Sequence, residues 1–364
     1  MPNSPLPPHR PSLIEHTVGL LREALLQGSW VNRLPGERAL SNELHVSRPT
    51  LRAALALLEK EGWLESRHGL RRTIIKKTPS QVREQPKVIA LLTPLPLQEL
   101  VPFTQAWTDS LRAFLAKEGY ELQIHSGRRW YGTNPERELA KLTHEMPAAG
   151  WVLFVTTEAM QRWFWASGLV CVTSGSPHVG IPLPSVDLNH RATCRHAAGQ
   201  FLAKGHERVV FLRQGPTNAG DKESELGFLE AFQKKPEATA LVAEHDGTPE
   251  GIRKQVDLLC RRKERPTGFL VARAMPALAV ASELTRNGLR IPEDVSVICR
   301  DRDHFLDYFS PAIARYGVNP QTHAQRLARL ILQYARDGSP KTKQVRLTTQ
   351  FFAGESVGTS TKTA

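Results

Sequence analysis

Apolar residues follow a helical period at the start of this 364-residue chain, and a mixed strand-and-helix period from about Lys87 onward. In the first part, a single apolar stripe predicts a helix from about residue 13 to residue 27. Its members are Leu13, Val18, Leu21, Leu25 and Leu26. A polar stretch with two prolines, "TIIKKTPSQVREQP", separates the two parts and predicts a linker between two structural units.

The segment "HVSRPTLRAALALLEKEGWLE", residues 45–65, predicts another helix with one buried face. Ser47 is a good N-cap, and Pro49 falls within the first turn, where a missing N–H costs little. The apolar positions follow the spacing i, i+4 and i+7. They are Leu51, Leu55 and Leu58. His45 stands in the preceding turn, at a position that would suit a positive φ.

A short helix carrying Leu40 and Leu44 comes directly before this segment, so the turn between the two helices is only a few residues long. The second helix then presents Arg48, Thr50 and Arg52 near its start, which is typical of a helix-turn-helix reader of the DNA major groove. The alternative is that the two arginines only solvate an exposed helix face. The basic turn "SRHGLRR" that follows favours DNA binding, because a positively charged wing there would reach the DNA backbone.

From Lys87 to the end of the chain, short apolar runs alternate with amphipathic segments, for example "KVIALLTP", "TDSLRAFLAKEGY", "GWVLFVTT" and "ATCRHAAGQFLAKGH". Such alternation predicts right-handed βαβ units and parallel sheets covered by helices on both faces. The strands are too numerous for one small sheet, so we expect two α/β lobes. The terminal "QVRLTTQFFAGES" predicts a closing strand or a pair of short strands.

Charge and composition narrow the class of protein further. The apolar fraction is 40%, the charged fraction 23% and the net charge +12, which favours an acidic partner such as nucleic acid. The opening "MPNSPLPPHRP" lacks the apolar core of a signal peptide, and no apolar run is long enough to span a bilayer, so we expect a cytoplasmic protein. The four scattered cysteines indicate reduced thiols rather than disulfides or a zinc site.

The α/β part contains no recognisable catalytic motif. Phosphate-loop, dinucleotide-binding, nucleophile-elbow and zinc-protease patterns are all missing from the sequence, and the histidines, including His196 and His206, are scattered. A lysine Schiff-base site is not excluded by motif alone, although the segment is short for such a fold. We therefore predict neither enzymatic activity nor a metal or cofactor, and expect a small-molecule site in the cleft between the lobes.

The stretch "LPGERALSNELHVSRPTLRAALALLEKEGWLESRHG" resembles the winged helix-turn-helix of gluconate-repressor (GntR-type) transcription regulators over about residues 12–76. The resemblance implies DNA contacts from the "LP-x-ER" arginine, from the "SR-x-T-x-R" residues and from the wing. Matched to this sequence, the implied contacts are Arg38, Ser47, Arg48, Thr50, Arg52, Arg67, His68, Gly69 and Arg71. Gly36 and His45 depart from the family's usual residues, and the wing has one glycine instead of two.

The remainder, from about residue 87 to residue 358, resembles the effector domain of lactose/galactose-repressor proteins, which is itself similar to periplasmic sugar-binding proteins. "NGLRIPEDVSVI" is the most specific element, beside "SVDLNHRATCRHAAGQFLAKGHERVVFL", "LGFLEAF" and "FFAGES". The resemblance implies an effector site. The implied positions are Phe103, Gln105, Ser174, Ser224, Arg273 and Asp301. Ser224 stands where the family has arginine, and Arg273-Ala274 stand where it has Asn-Asp.

Together these observations predict three segments: a winged helix-turn-helix at 12–77, a linker at 78–86, and a two-lobed effector and dimerisation domain at 87–358. We expect a transcriptional regulator, with repression the commoner mode, that binds operator DNA as a homodimer under the control of a small molecule, with sugars the first candidates. The alternatives are a cytoplasmic sugar-binding or small-molecule-binding protein, and an enzyme with an appended DNA reader.

Overall fold

The computed structural model describes residues 12–30, 32–66, 72–75, 87–215, 218–338 and 344–360. Its amino-terminal part contains helices α1 (Leu13–Leu26), α2 (Glu37–Glu43) and α3 (Arg48–Lys60) and strands β1 (Leu64–Glu65) and β2 (Thr73–Ile74). The two strands pair antiparallel, which gives the helix-turn-helix a short hairpin at its end. The predicted linker, 78–86, lies outside the described residues, so the three predicted segment boundaries stay a prediction.

The three helices surround a small apolar core. Leu21, Leu51 and Leu58 are fully buried in it, as the helical period predicts. Two predicted members of the α1 stripe are wrong: Leu13 is 60% exposed and Leu26 is 36% exposed. They occupy the first and last positions of α1, where few residues of the neighbouring helices are within reach.

The first α/β lobe is built on a parallel sheet whose strand order is β13-β7-β6-β5-β3-β4. Its strands are β3 (Val88–Thr93), β4 (Glu121–Ser126), β5 (Gly150–Phe154), β6 (Cys171–Ser174), β7 (Ser185–Leu188) and β13 (Gln344–Leu347). Its helices are α4 (Pro102–Lys117), α5 (Glu136–Glu145), α6 (Glu158–Ser167) and α11 (Pro320–Asp337). Separate apolar clusters fill the two faces of the sheet, as expected for a doubly covered parallel sheet.

The second lobe repeats this arrangement with the order β14-β12-β11-β10-β8-β9, in which only β14 runs antiparallel to its neighbour. Its strands are β8 (Arg208–Gln214), β9 (Thr239–His245), β10 (Gly268–Val271), β11 (Ser296–Cys299), β12 (Ala314–Gly317) and β14 (Gln350–Phe352). Its helices are α7 (His190–Ala203), α8 (Ala219–Phe232), α9 (Pro249–Cys260) and α10 (Ala274–Arg286). Two lobes of parallel sheet and helix were predicted from the alternating pattern, and the structure confirms them.

The chain crosses between the lobes at three places: from β7 to α7, from β12 to α11, and from β13 to β14. The terminal pair of short strands is therefore confirmed, but its two members belong to different sheets. Helices α6 and α11 and strand β12 are not among the segments that the pattern predicts. For α11 the signal was present, because Leu327, Ile331 and Ala335 are buried at a spacing of four residues.

The cysteines are all free thiols, as predicted. Cys171, Cys194 and Cys299 are buried, whereas Cys260 is only half buried. Burial raises the pKa of the Cys171 thiol to about 12 and that of Cys194 to about 11, so both stay protonated and unreactive at neutral pH.

Helices α7 and α8 approach most closely at Gly227, where a Cβ atom would lie 2.0 Å from the backbone oxygen of Arg191. Gly227→Ala must push the two helices apart, so we expect a loss of about 1–3 kcal/mol in the free energy of unfolding. Gly199→Ala is the matched control: a Cβ there meets no atom within 4 Å in the middle of α7. We expect it to be neutral or stabilising by up to about 1 kcal/mol. Urea denaturation measures both, and equal stabilities would contradict the close-packing interpretation.

Candidate DNA interface and effector site

Helix α3 carries four of the predicted DNA contacts within its first turns. Ser47 is its N-cap: the Thr50 amide donates to the Ser47 hydroxyl oxygen at 3.3 Å, and the two hydroxyls lie 2.7 Å apart. Arg48 and Arg52 lie on the same exposed side, with 60% of the Arg52 side chain accessible. His45 precedes the helix at φ 51°, which confirms the positive φ expected for the turn.

A chain of alternating charges ties the start of α3 to its surroundings. Arg52 Nε donates to Glu37 Oε2 at 2.7 Å, and Arg72 Nη1 donates to Glu37 Oε1 at 2.9 Å. Arg72 Nε also binds Glu59. Hydrogen bonds from Arg72 and Arg52 lower the pKa of Glu37, so this carboxylate stays ionised at neutral pH. The charge chain consists of Arg52, Glu37, Arg72 and Glu59, and the sequence analysis did not single out either of its glutamates.

The remaining predicted DNA contacts are less well defined. Arg38 is exposed in the first turn of α2, beside Glu37. Arg67, His68, Gly69 and Arg71 lie outside the described residues, so the predicted wing contacts stay a prediction. The paired strands β1 and β2 flank that segment.

In the first lobe, the predicted effector residues gather near His323 of α11. The His323 Nε2 and Ser174 Oγ atoms are 2.9 Å apart, and both side chains are buried. The Phe103 ring packs edge-on against the imidazole at 6.0 Å, whereas Gln105 donates its amide to the Leu100 carbonyl at 2.7 Å. Burial lowers the pKa of His323 to about 4, so it is a neutral hydrogen-bonding group.

In the second lobe, the structure brings Ser224, Arg273 and Asp301 together around a residue that the sequence analysis missed, Arg300. Its guanidinium is 1% exposed and donates to Asp221 Oδ1 at 2.7 Å and to Ser224 Oγ at 2.6 Å. Arg273 Nη1 donates to Asp301 Oδ2 at 3.0 Å. The arginines lower the pKa of both carboxyls against the opposing effect of burial.

This second-lobe cluster contains two arginines and two aspartates, so its formal charges cancel. Arg300 and Asp221 are buried, whereas 44% of the Arg273 side chain and 24% of the Asp301 side chain remain accessible. The buried pair serves as a support, and the exposed pair offers adjacent donors and acceptors at the carboxyl ends of β10 and β11. That is where ligands of open α/β sheets usually bind. A polar, uncharged molecule with several hydroxyl groups suits such a surface.

One further ion pair lies next to a lobe crossing. His190 Nε2, at the start of α7, is 3.3 Å from Asp187 Oδ1 on β7, and Asp187 also accepts from the Ser176 hydroxyl. Burial raises the pKa of this carboxyl, but His190 and the hydrogen bonds outweigh burial and lower the pKa to about 2. Asp187 is therefore an ionised anchor between the first lobe and α7.

Two further observations concern other kinds of site. Within the part of the chain that the structure describes, no helix has the length and apolarity needed to cross a membrane. Among the same residues there is no group of three or more His, Cys, Asp or Glu side chains that could hold a metal ion.

The fold and the basic helix define a class of protein: a helix-turn-helix reader joined to a two-lobed α/β binding domain. Comparison with protein families agrees with it. Residues 13–74 match the description "Bacterial regulatory proteins, gntR family", and residues 198–357 match "Periplasmic binding protein-like domain". The chain is therefore a DNA-binding transcriptional regulator that combines these two domains. The families and relatives that it matches are regulators, not enzymes.

Among the relatives, the arabinose metabolism transcriptional repressor of Geobacillus stearothermophilus is 23% identical, with 73% of this chain and 75% of the relative aligned. The repressor PurR of Photorhabdus laumondii is 34% identical over 32% of this chain and 36% of its own length. Two solved structures show the same fold. A CelR–cellobiose complex has a TM-score of 0.67 at 20% identity, covering 95% of this chain and 100% of that one. CcpA of Lactococcus lactis has a TM-score of 0.66 at 15% identity, covering 74% and 98%.

The exposed arginines of α3 give a direct prediction. Arg48→Ala and Arg52→Ala should each weaken binding to the operator by about 1–3 kcal/mol if the side chain reads a base. Fluorescence anisotropy with labelled upstream DNA measures the change. Arg22→Ala is the control, because Arg22 pairs with Glu61 on another part of the same domain. A variant that binds like the wild type would remove that arginine from the interface.

Proposed function

We propose that this protein is a repressor that binds a two-fold symmetric operator as a homodimer in the cytoplasm and responds to a small polyhydroxy effector. The observation that carries the proposal is the combination, in one chain, of an arginine-bearing helix-turn-helix with two lobes that the chain joins three times. Helix-turn-helix dimers place their recognition helices in successive major-groove segments, which requires two copies of the reader. The net charge of +12 supports binding to DNA.

For the effector, we propose that Arg273 and Asp301 make polar contacts and that Phe103 and Gln105 contribute from the first lobe. Ser174 and Ser224 are buried and bonded to His323 and Arg300, so we assign them a supporting role behind the ligand surface. The names of the similar proteins favour carbohydrates: an arabinose metabolism repressor, a CelR–cellobiose complex and a LacI-family regulator with bound ribose. A ligand that closes the lobes would act through its different affinities for the open and closed forms.

The test is binding of the purified full-length protein to its own upstream DNA, titrated against salt and repeated with arabinose, ribose and cellobiose. We expect sequence-selective binding with a steep salt dependence, and a shift in operator affinity with at least one sugar. Binding without selectivity, with and without the sugars, would contradict the proposal of an operator-binding repressor. Selective binding that no sugar alters would leave the DNA reader and contradict a carbohydrate effector.

Asp301→Asn tests the proposed pocket. Because a charged acceptor is lost from the exposed pair, we expect the sugar concentration needed for half of the response to rise by about tenfold or more. Operator affinity without sugar should not change. The control is Glu250→Gln, whose carboxylate pairs only with Arg253 on the surface among the described residues. An unchanged sugar response in Asp301→Asn would exclude this carboxylate from the effector site.

A further inference from the structure

Glu37 occupies an unusual place for a carboxylate in a DNA-binding domain. It is the first residue of α2, next to the exposed Arg38, and its two oxygens bind two arginines from different elements. Arg52 belongs to α3, and Arg72 comes directly before β2. A carboxylate so close to a DNA-binding surface would repel phosphates unless the arginines compensated its charge.

The hydrogen bond to Arg52 uses a particular edge of the guanidinium. Among the described residues, Arg52 is bonded only through Nε, which donates to Glu37 Oε2. Its two terminal nitrogens therefore remain available for a bidentate contact with guanine or with a phosphate. A bond at Nε also restricts the orientation of a side chain that would otherwise lose much rotamer entropy when it bound DNA.

The second oxygen of Glu37 links this contact to the rest of the domain. Arg72 is 22% exposed and is held at the same time by Glu37 and by Glu59, which lies on α3. The backbone carbonyl of Arg72 also accepts from the Leu34 amide at 3.0 Å. Glu37 is thus fixed by a half-buried arginine, and it can hold Arg52 in place without moving itself.

We propose that Glu37 is a positioning residue for DNA recognition: it holds Arg52 by Nε so that the two terminal nitrogens of this arginine meet the operator. This inference rests on the proposed DNA binding and adds the residue that aims the contact. It predicts that Glu37 favours selective binding although its charge opposes binding to DNA in general. A carboxylate that only repelled phosphates would weaken operator and nonspecific binding equally.

The experiment is a double-mutant cycle on the full-length protein with Glu37→Gln, Arg52→Ala and the combined variant. Anisotropy titrations use two duplexes of equal length, the operator and a scrambled sequence. We expect Glu37→Gln to weaken operator binding by about tenfold, within the range of one lost bidentate contact. Binding to the scrambled duplex should be unchanged or tighter. In the Arg52→Ala background the further effect of Glu37→Gln should disappear, because the two residues act as a unit.

Two further variants separate positioning from charge and from fold stability. Glu37→Asp keeps the charge but shortens the reach by one methylene, and it should also lose selectivity if position matters. Glu59→Gln removes the other partner of Arg72 and leaves the Arg52–Glu37 bond, so it should retain most of the selectivity. Thermal unfolding followed by circular dichroism checks that each variant is folded at the assay temperature.

Three outcomes would overturn the inference. The first is operator binding that rises in Glu37→Gln as much as nonspecific binding does. The second is an effect of Glu37→Gln that persists undiminished in Arg52→Ala. The third is Glu37→Asp with wild-type selectivity. Failure of the proposed function looks different, because the wild-type protein itself would then not distinguish the operator from the scrambled duplex.

Discussion

The three crossings between the lobes constrain everything that the α/β part can do. At the first and third crossings the Asn189 amide donates to the Leu347 carbonyl at 2.8 Å, and the Thr193 and Thr349 hydroxyls lie 2.9 Å apart. Each lobe has its own apolar core on both faces of its sheet. Because close-packed cores resist deformation, relative motion of the lobes must concentrate at these few crossing residues.

Arginine serves different purposes in the two parts of the protein. In the helix-turn-helix, Arg48 and Arg52 are exposed, so their charge is available to a polyanion. In the second lobe, Arg300 is buried and paired with Asp221, where removal of one partner would leave an uncompensated charge. A net charge of +12 therefore says little about any single arginine, and its burial and partners decide its role.

The buried polar contacts near the proposed effector site show how the lobes support their ligand-facing residues. Ser174 is held by His323, and Ser224 by Arg300, and in each pair both side chains are buried. Buried polar groups need such partners, because an unpaired one costs free energy. The partners come from other elements: His323 lies in α11, which follows the second crossing, and Arg300 follows β11.

The sequence by itself determined the architecture and the reader. Periodicity predicted the helix-turn-helix, the Ser47 cap and the two α/β lobes, because period and capping depend on residues within a few positions of one another. Only the tertiary structure decided which side chains share a site. Arg300 meets Ser224 across 76 residues, Ser174 meets His323 across 149, and Glu37 meets Arg72 across 35. Such contacts arise when parallel strands and packed helices bring distant segments to one edge, and no local pattern in the sequence records them.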